Sequence, residues 1–335
     1  MSTSPEPMIS RRRALTVIAG VSAGLLGAGS GLAAPIRRFQ WRGAALGTEA
    51  TIILYHPDRR KAEEAIAAAV AEIERLELEF SLYRPGSAIC RLNRDGYLDA
   101  SLDMVRLLSD CRRFSEISDG AFDVTVQPLW RLYADHFAAH PGDTSGPSRA
   151  AVAAARARVD YRRVNVHPER IVLGEAMEIT LNGIAQGAIT DRVAEMLRRR
   201  GWSNVLLNLG EIRALDGRGE GMPWSVELEG STAPNGDGRL SVPLDNRAMA
   251  TSAGSGSRFE ATGRYHHLFD PASGDNPSHY RAVSVIAADA TTADALSTAI
   301  FTAPPSRAGR MIAEAGRNGE VAAWLTDGDG NTREL

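Results

Sequence analysis

The sequence predicts a mixed α/β protein of the α+β kind, built as one unit. Three observations point there. Strand-like runs and amphipathic helical runs interleave without alternating one for one, which argues against a doubly wound parallel sheet. The composition is that of an ordinary globular chain, 44% hydrophobic and 24% charged over 335 residues. No internal repeat and no shift in composition divides residues 35–335. Charge excludes one functional class: 38 basic against 41 acidic residues give a net charge of -3, so the basic excess usual for a nucleic-acid protein is absent. Collagen-like, coiled-coil and wholly disordered chains are excluded too, because Gly and Pro are scattered and apolar content is normal. Cys90 and Cys111 are the two cysteines. They rule out a disulfide-stapled scaffold, and a cysteine metal centre would need His or Asp to complete it.

Residues 1–34 read as an address. Arg11, Arg12 and Arg13 precede a charge-free run from Ala14 to Ala34 that ends in small residues. This is the layout of an export signal. Adjacent arginines after Ser10 match the twin-arginine type, with Ala14 where an aromatic is usual. A membrane anchor needs a run of similar length, but this one is Gly/Ala-rich and weakly hydrophobic. No cysteine follows it, which excludes a lipid anchor. The expected location is the periplasm. The stretch Gly27–Gly31 looks like a phosphate loop, but no strand precedes it and no dinucleotide unit follows.

Along the remaining chain, Thr51–Tyr55 reads as a strand closed by His56-Pro57-Asp58. Ile66, Val70, Ile73, Leu76 and Phe80 recur at helical spacing. Leu102, Val105, Leu108 and Cys111 mark a second amphipathic helix, with Cys111 as a small core residue. Asp119–Asp123 is a loop, and His140–Pro147 a surface excursion. A short Ala/Arg helix leads to strands at Ile171–Leu173 and Ile179–Leu181. The second breaks at Asn182-Gly183 into a helix carrying Ile189, Val193, Met196 and Leu197, closed by Gly201. Strands follow at Val205–Leu209, Trp224–Leu228 and Arg281–Ala288, with a polar turn through Pro234–Gly238. A last helix begins near Thr292 and bears Ala293, Leu296 and Ile300.

Four clusters are candidates for chemistry. Asp294 and Thr298 share a helix face at i and i+4. As hard oxygen donors they suit Mg2+, and the ordinary alternative is a helix start capped by Thr292. The Asn182–Gly187 junction, followed by Asp191, exposes backbone groups able to hold a metal by carbonyl and a phosphate by amide, or is a plain strand–helix turn. His266 and His267 sit on an extended segment and face opposite ways, so zinc is disfavoured. One of them is a candidate general base or a structural histidine. Phe80–Ser87 and Ala121–Asp123 place aromatics beside polar turns, suited either to stacking on a planar ring or to core packing.

Taken in order, these pieces resemble the ApbE family, the FAD:protein FMN transferases. The resemblance runs from about Ala45 to Thr302 and rests on a series of short motifs in family order. They are Leu46-Gly47-Thr48, Phe80–Arg84, Ala121–Val126 with Pro128-Leu129, Gly183–Gly187 plus Asp191, and Asn208-Leu209-Gly210. Pro223-Trp224, Ala250-Thr251-Ser252, His267–Pro271 with Gly274, and Ala293–Ala295 with Thr298 complete it. The resemblance implies a tunnelling-fold-related unit with FAD between its sheets. It implies FAD contacts at Leu46, Tyr83, Ala121, Phe122, Asp123, Thr180, Gln186 and Phe269. Mg2+ would be held by Gly183, Asp294 and Thr298, with Ser297 beside them, and His267 would activate the acceptor hydroxyl. The implied reaction moves FMN from FAD to a threonine of a target protein and releases AMP. Mg2+-dependent FAD pyrophosphatase and non-catalytic flavin chaperone are the alternatives. The leader resembles that of the NosX-like branch of nitrous-oxide respiration, whose implied partner is a NosR-like membrane flavoprotein. The sequence departs from the family pattern at Leu46 (usually Met), Thr180 (usually Asp), Gln186 (often Lys), Glu211 (usually Gly) and Ala253 (usually Gly).

Overall fold

Side-chain alternation divides the core between the two faces of one large sheet. The computed structural model describes residues 35–99, 101–218, 221–232, 238–316 and 321–335, with the strand Ile18–Gly20. The rest of the expected leader, and residues 234–237 of the expected polar turn, lie outside the described residues. In chain order the elements are β1 (Ile18–Gly20), β2 (Arg37–Ala45), β3 (Thr48–His56), α1 (Arg59–Phe80), α2 (Ala88–Asp95), β4 (Tyr97–Asp99) and α3 (Leu102–Ile117). Then come α4 (Gln127–Ala139), α5 (Arg149–Arg156), β5 (Asn165–Val166), β6 (Arg170–Val172), α6 (Ala185–Arg199), β7 (Val205–Asn208) and β8 (Ile212–Leu215). The chain ends with β9 (Trp224–Glu227), β10 (Ser241–Leu244), β11 (Ala248–Ala253), β12 (Ala282–Ala287), α7 (Ala290–Thr302), α8 (Ala308–Ala315), β13 (Ala322–Thr326) and β14 (Thr332–Glu334).

Nine strands pair in the order β1-β2-β3-β7-β8-β11-β12-β13-β14, every pair antiparallel. Two small sheets, β4-β6-β5 and β9-β10, complete the set. Ile52, Leu54, Val205, Leu207, Val283 and Val285 point to one face, which α1, α6 and α7 cover. Ile53, Tyr55, Leu206 and Ile286 point to the other, which the β9–β10 hairpin covers with Trp224, Val226 and Leu244. Period-two alternation thus gives both faces something to bury. A satellite cluster of Leu129, Tyr133, Phe137, Tyr265 and Phe269 joins α4 and α5 to the 259–269 loop.

Local chemistry sets the ends. Asp58 caps α1 by accepting from the Lys61 amide at 3.2 Å. Gly201 follows α6 at φ 80°, the left-handed residue expected there. The structure corrects four sequence expectations. Ile179–Leu181 forms no strand: its backbone bonds the Asn93 side chain, which donates to the Ile179 carbonyl and accepts from the Ile179 amide, both at 2.8 Å. In α3 the buried stripe is Met104, Leu107, Leu108, Cys111 and Phe114, while Leu102, at the first turn, is 63% exposed. Helix α7 starts at Ala290 and is capped by Asp289, which accepts from the Thr292 amide, so Thr292 is not the cap. Helix α8 follows α7, so α7 is not the last helix.

Two helices approach unusually closely. A Cβ built on Gly187, in the first turn of α6, would overlap the Ala290 carbonyl oxygen and stand 2.9 Å from Asp294 Cβ. Backbone cannot give way there as a flexible side chain would. Gly187→Ala is expected to cost about 1–3 kcal/mol of stability as overpacking, read as a lower urea midpoint with an unchanged slope.

Candidate active site

The site grows from the contact between α6 and α7. Each helix gives a carboxylate to the first turn of the other. Asp294 of α7 accepts from the Gly187 amide of α6 at 3.0 Å. Asp191 of α6 accepts from the Ala290 and Thr291 amides of α7 at 2.9 and 2.8 Å, and from the Thr291 hydroxyl at 2.7 Å. Amides of a first turn have no intrahelical partner and lie at the positive end of the dipole, so both exchanges are favourable. The exchange fixes Asp294 with one oxygen on Gly187, leaving Oδ1 available.

Asp294 meets the rest of the predicted cation set. A Cβ on Gly183 would lie 3.1 Å from Thr298 Oγ1, so the missing side chain is what brings this backbone against the hydroxyl. Ser252 Oγ, on β11, is 3.1 Å from Thr298 Oγ1 and 2.8 Å from Ser297 Oγ. Ser297 also donates to the Asp294 carbonyl at 3.0 Å, so its hydroxyl is engaged in holding Ser252. Glu211, in the β7–β8 turn, is the further acidic residue here, and sequence reasoning gave it no role beyond a departure from the family. It is 7% exposed and accepts from the Thr251 amide. Burial, then the charge of Asp294, pushes its carboxyl well up; burial likewise pushes Asp294 up, against the Gly187 amide. Among the described residues no three His, Cys, Asp or Glu side chains converge on one point. The donor set is the Asp294 carboxylate with hydroxyl and carbonyl oxygens.

The residues expected to meet FAD form an adjoining surface. Leu46 and Gly47 make the two-residue turn between β2 and β3 with φ of 46° and 86°, a type I′ geometry. The buried Glu77 anchors it, accepting from the Leu46 amide at 2.8 Å while paired with Arg84. Tyr83 stands beside the turn, 63% exposed, its ring 3.9 Å from where a Gly47 Cβ would be. Its hydroxyl is 3.5 Å from Asn182 Nδ2. Gln186 donates to Thr48 Oγ1 at 2.8 Å, linking turn and helix. Phe122 is buried, 3.5 Å from the Gly183 Cβ position, and the Ala121 carbonyl accepts from Thr302 of α7 at 2.8 Å. Thr180 hangs on the Val124 carbonyl by its amide and accepts from the Asn182 amide. The Asp123 carboxylate is committed inward, to the Thr125 amide and hydroxyl and the Tyr161 amide. Leu46 lies in the turn joining β2 and β3 of the large sheet and Ser252 on its β11, while Thr180 and Gly183 lie in the segment between β6 and α6.

Phe269 stands apart from this surface: its side chain is buried in the satellite aromatic cluster, 5.0 Å from the Tyr133 ring. The two histidines separate as expected. His266 is buried against Phe301, with Nε2 on the Pro277 carbonyl at 3.1 Å and Nδ1 accepting from the Leu268 amide. His267 turns its ring to Ser257, five residues beyond Ser252, with Nδ1 3.1 Å from the Ser257 carbonyl. A carbonyl only accepts, so Nδ1 carries the proton and Nε2 is left as a base. Burial lowers this ring's pKa against that hydrogen bond. A cavity of about 880 Å³ lies beside His266 among Arg149, Arg258, Arg264 and Arg281, and no residue predicted for FAD or cation lines it.

The ApbE family model matches residues 46–325. The FAD:protein FMN transferase of Haemophilus influenzae is 30% identical over 253 residues, 72% of each chain. That of Treponema pallidum is 30% identical over 313 residues, 83% of this chain and 82% of its own. Among solved structures, the ApbE protein of Thermotoga maritima superposes with a TM-score of 0.76 at 26% identity, over 88% of this chain and 96% of its own.

Burial holds His266 down to about 4 from an ordinary 6.5. Its neutral form therefore belongs to the fold. Below pH 6.5 the unfolded chain takes up a proton that the native state refuses, so stability falls with pH until about 4. Urea melts at pH 7 and pH 4.5 should show that loss shrinking by on the order of 2 kcal/mol in His266→Gln.

Proposed function

This chain belongs to the ApbE family, and from that premise we propose that it transfers FMN from FAD to a protein acceptor and releases AMP. The observation that carries the reading is the approach of Gly183, just before α6, to Thr298 of α7, one turn beyond the Asp294 that accepts from the Gly187 amide. A buried carboxylate beside hydroxyl and carbonyl oxygen is the donor chemistry of a hard divalent cation. We assign that cation as Mg2+, held by Asp294, Thr298 and the Gly183 carbonyl. When bound, it would neutralise charge on the diphosphate.

The chain's own residues supply the rest. Tyr83 offers an exposed ring for the isoalloxazine to stack on. The Leu46-Gly47 turn, held by Glu77, and Gln186 border the same surface. His267 Nε2 is the base that takes the proton of a threonine hydroxyl. That oxygen bonds to the FMN phosphorus as the bond between the two phosphates breaks, and AMP leaves with its electrons. The sequence layout of residues 1–34 supports action in the periplasm after twin-arginine export. It likewise favours a NosR-like acceptor and a place in nitrous-oxide respiration.

Incubation with FAD, Mg2+ and a flavin-acceptor domain tests the reading. Flavin fluorescence should become covalently attached to the acceptor. Free FMN and AMP with no labelled acceptor would indicate a pyrophosphatase, and unchanged FAD a carrier. Asp294→Ala should abolish labelling. His267→Ala should slow it by roughly 10²–10⁴-fold while equilibrium FAD binding is retained; lost binding would make His267 a ligand rather than a base.

A further inference from the structure

We infer that the arginine-lined cavity beside His266 is where the acceptor protein docks, and that it takes an acidic segment neighbouring the acceptor threonine. The inference rests on the FMN transfer proposed above and adds the surface that reads the second substrate. One stretch of chain ties the cavity to the site. Ser252 meets Ser297 and Thr298. The next residues, Ala253, Gly254 and Ser255, line the cavity. Ser257 then holds His267: its carbonyl accepts from the His267 amide and from Nδ1, each at 3.1 Å. Arg258 returns to the cavity wall. No side chain separates the wall from the histidines. A Cβ on Gly254 would stand 2.9 Å from His266 Cδ2, and one on Gly256 would stand 3.3 Å from His267 Cε1 and 3.9 Å from Nε2. The proposed base and the cavity are one short run of backbone apart.

The lining says what fits. Five arginines face two carboxylates there, in a chain whose net charge is -3, so the positive charge is concentrated locally. Arg149 is paired with one of the carboxylates, Asp275, at 2.9 Å. The other, Glu229, stands 3.4 Å from Ser255 Oγ. Arg258, Arg264 and Arg281 are exposed and form no ion pair among the described residues. Guanidinium groups gathered around one hollow attract carboxylates and can grip them with two hydrogen bonds each. The same cavity offers apolar surface from Tyr133, Val152 and Phe301. At about 880 Å³ it has the volume of a site for a drug-sized ligand, far more than one small anion fills. An acidic stretch of peptide uses both the charge and the apolar surface. FAD is the other substrate, and none of the residues assigned to it lines this cavity.

The test begins without catalysis. The full chain, free of FAD and Mg2+, is titrated into a fluorescein-labelled decapeptide with a central threonine flanked by aspartates, and anisotropy is followed. The aspartate peptide should bind at least fivefold more tightly than the same peptide with asparagines, and added NaCl should erode the difference. Arg258→Gln combined with Arg281→Gln should weaken the aspartate peptide at least fivefold and leave the asparagine peptide within twofold. Equal affinity for the two peptides, or an unchanged Kd in the double variant, overturns the proposal. Should that variant melt below the natural protein, Arg264→Gln is measured under the same limits. Turnover separates this inference from the function it rests on. With FAD, Mg2+ and a flavin-acceptor domain, the double variant should raise the acceptor KM at least fivefold while kcat and the FAD Kd stay within twofold. A raised FAD Kd would put FAD in the cavity and overturn the docking role, as would an unchanged acceptor KM. Charge-selective peptide binding with no flavin transfer by the natural protein would support the acidic-segment site and sink the transferase reading instead.

Discussion

Helices α6 and α7 hold each other by exchanging carboxylates, and the site depends on that exchange. Asp191 satisfies the first amides of α7, and Asp294 satisfies one of α6. The geometry is possible only because Gly187 lets two backbones come within reach of an aspartate's short side chain. Asp294 is thus a fastener and a ligand candidate at once, one oxygen for each task. Asp294, Ser297 and Thr298 share one packed helix, and they cannot drift without opening the core face of the sheet.

The acidic residues around the site meet three different fates. Glu77 and Asp123 are buried and fully engaged: they shape backbone, under the Leu46 turn and before Tyr161. Asp191 is engaged with a helix start. Asp294 spends one oxygen on the Gly187 amide and keeps the other for the site. Buried polar groups are normally satisfied, so the contrast separates structural carboxylates from those that await something.

Much of this was legible in the chain itself. Helix α1 has a strong period and β12 an apolar, β-branched run, and both appear where the sequence puts them. Asp294 and Thr298 were paired by helical spacing alone, and the adjacent histidines by strand geometry, because both depend on near neighbours. What escaped depends on distant ones. Ile179–Leu181 has strand composition, but its partner is the side chain of Asn93, 86 residues earlier. Asp289 rather than Thr292 caps α7, a choice between two good caps that only the packed backbone decides. Ser252 enters the site from β11, for which no local spacing exists. Phe269 sits in a motif with the right order, yet its ring is core to a neighbouring cluster.

The Leu46-Gly47 turn has a thermodynamic meaning of its own. A leucine at φ 46° is rarely populated in a free chain, yet here a buried glutamate grips its amide and a two-residue reversal leaves it no slack. The disorder that a loose loop would surrender on docking a flat aromatic guest has already been surrendered when the chain folds. Under the function proposed above, recognition at this edge would be closer to a rigid shelf receiving a plate than to fingers closing on it.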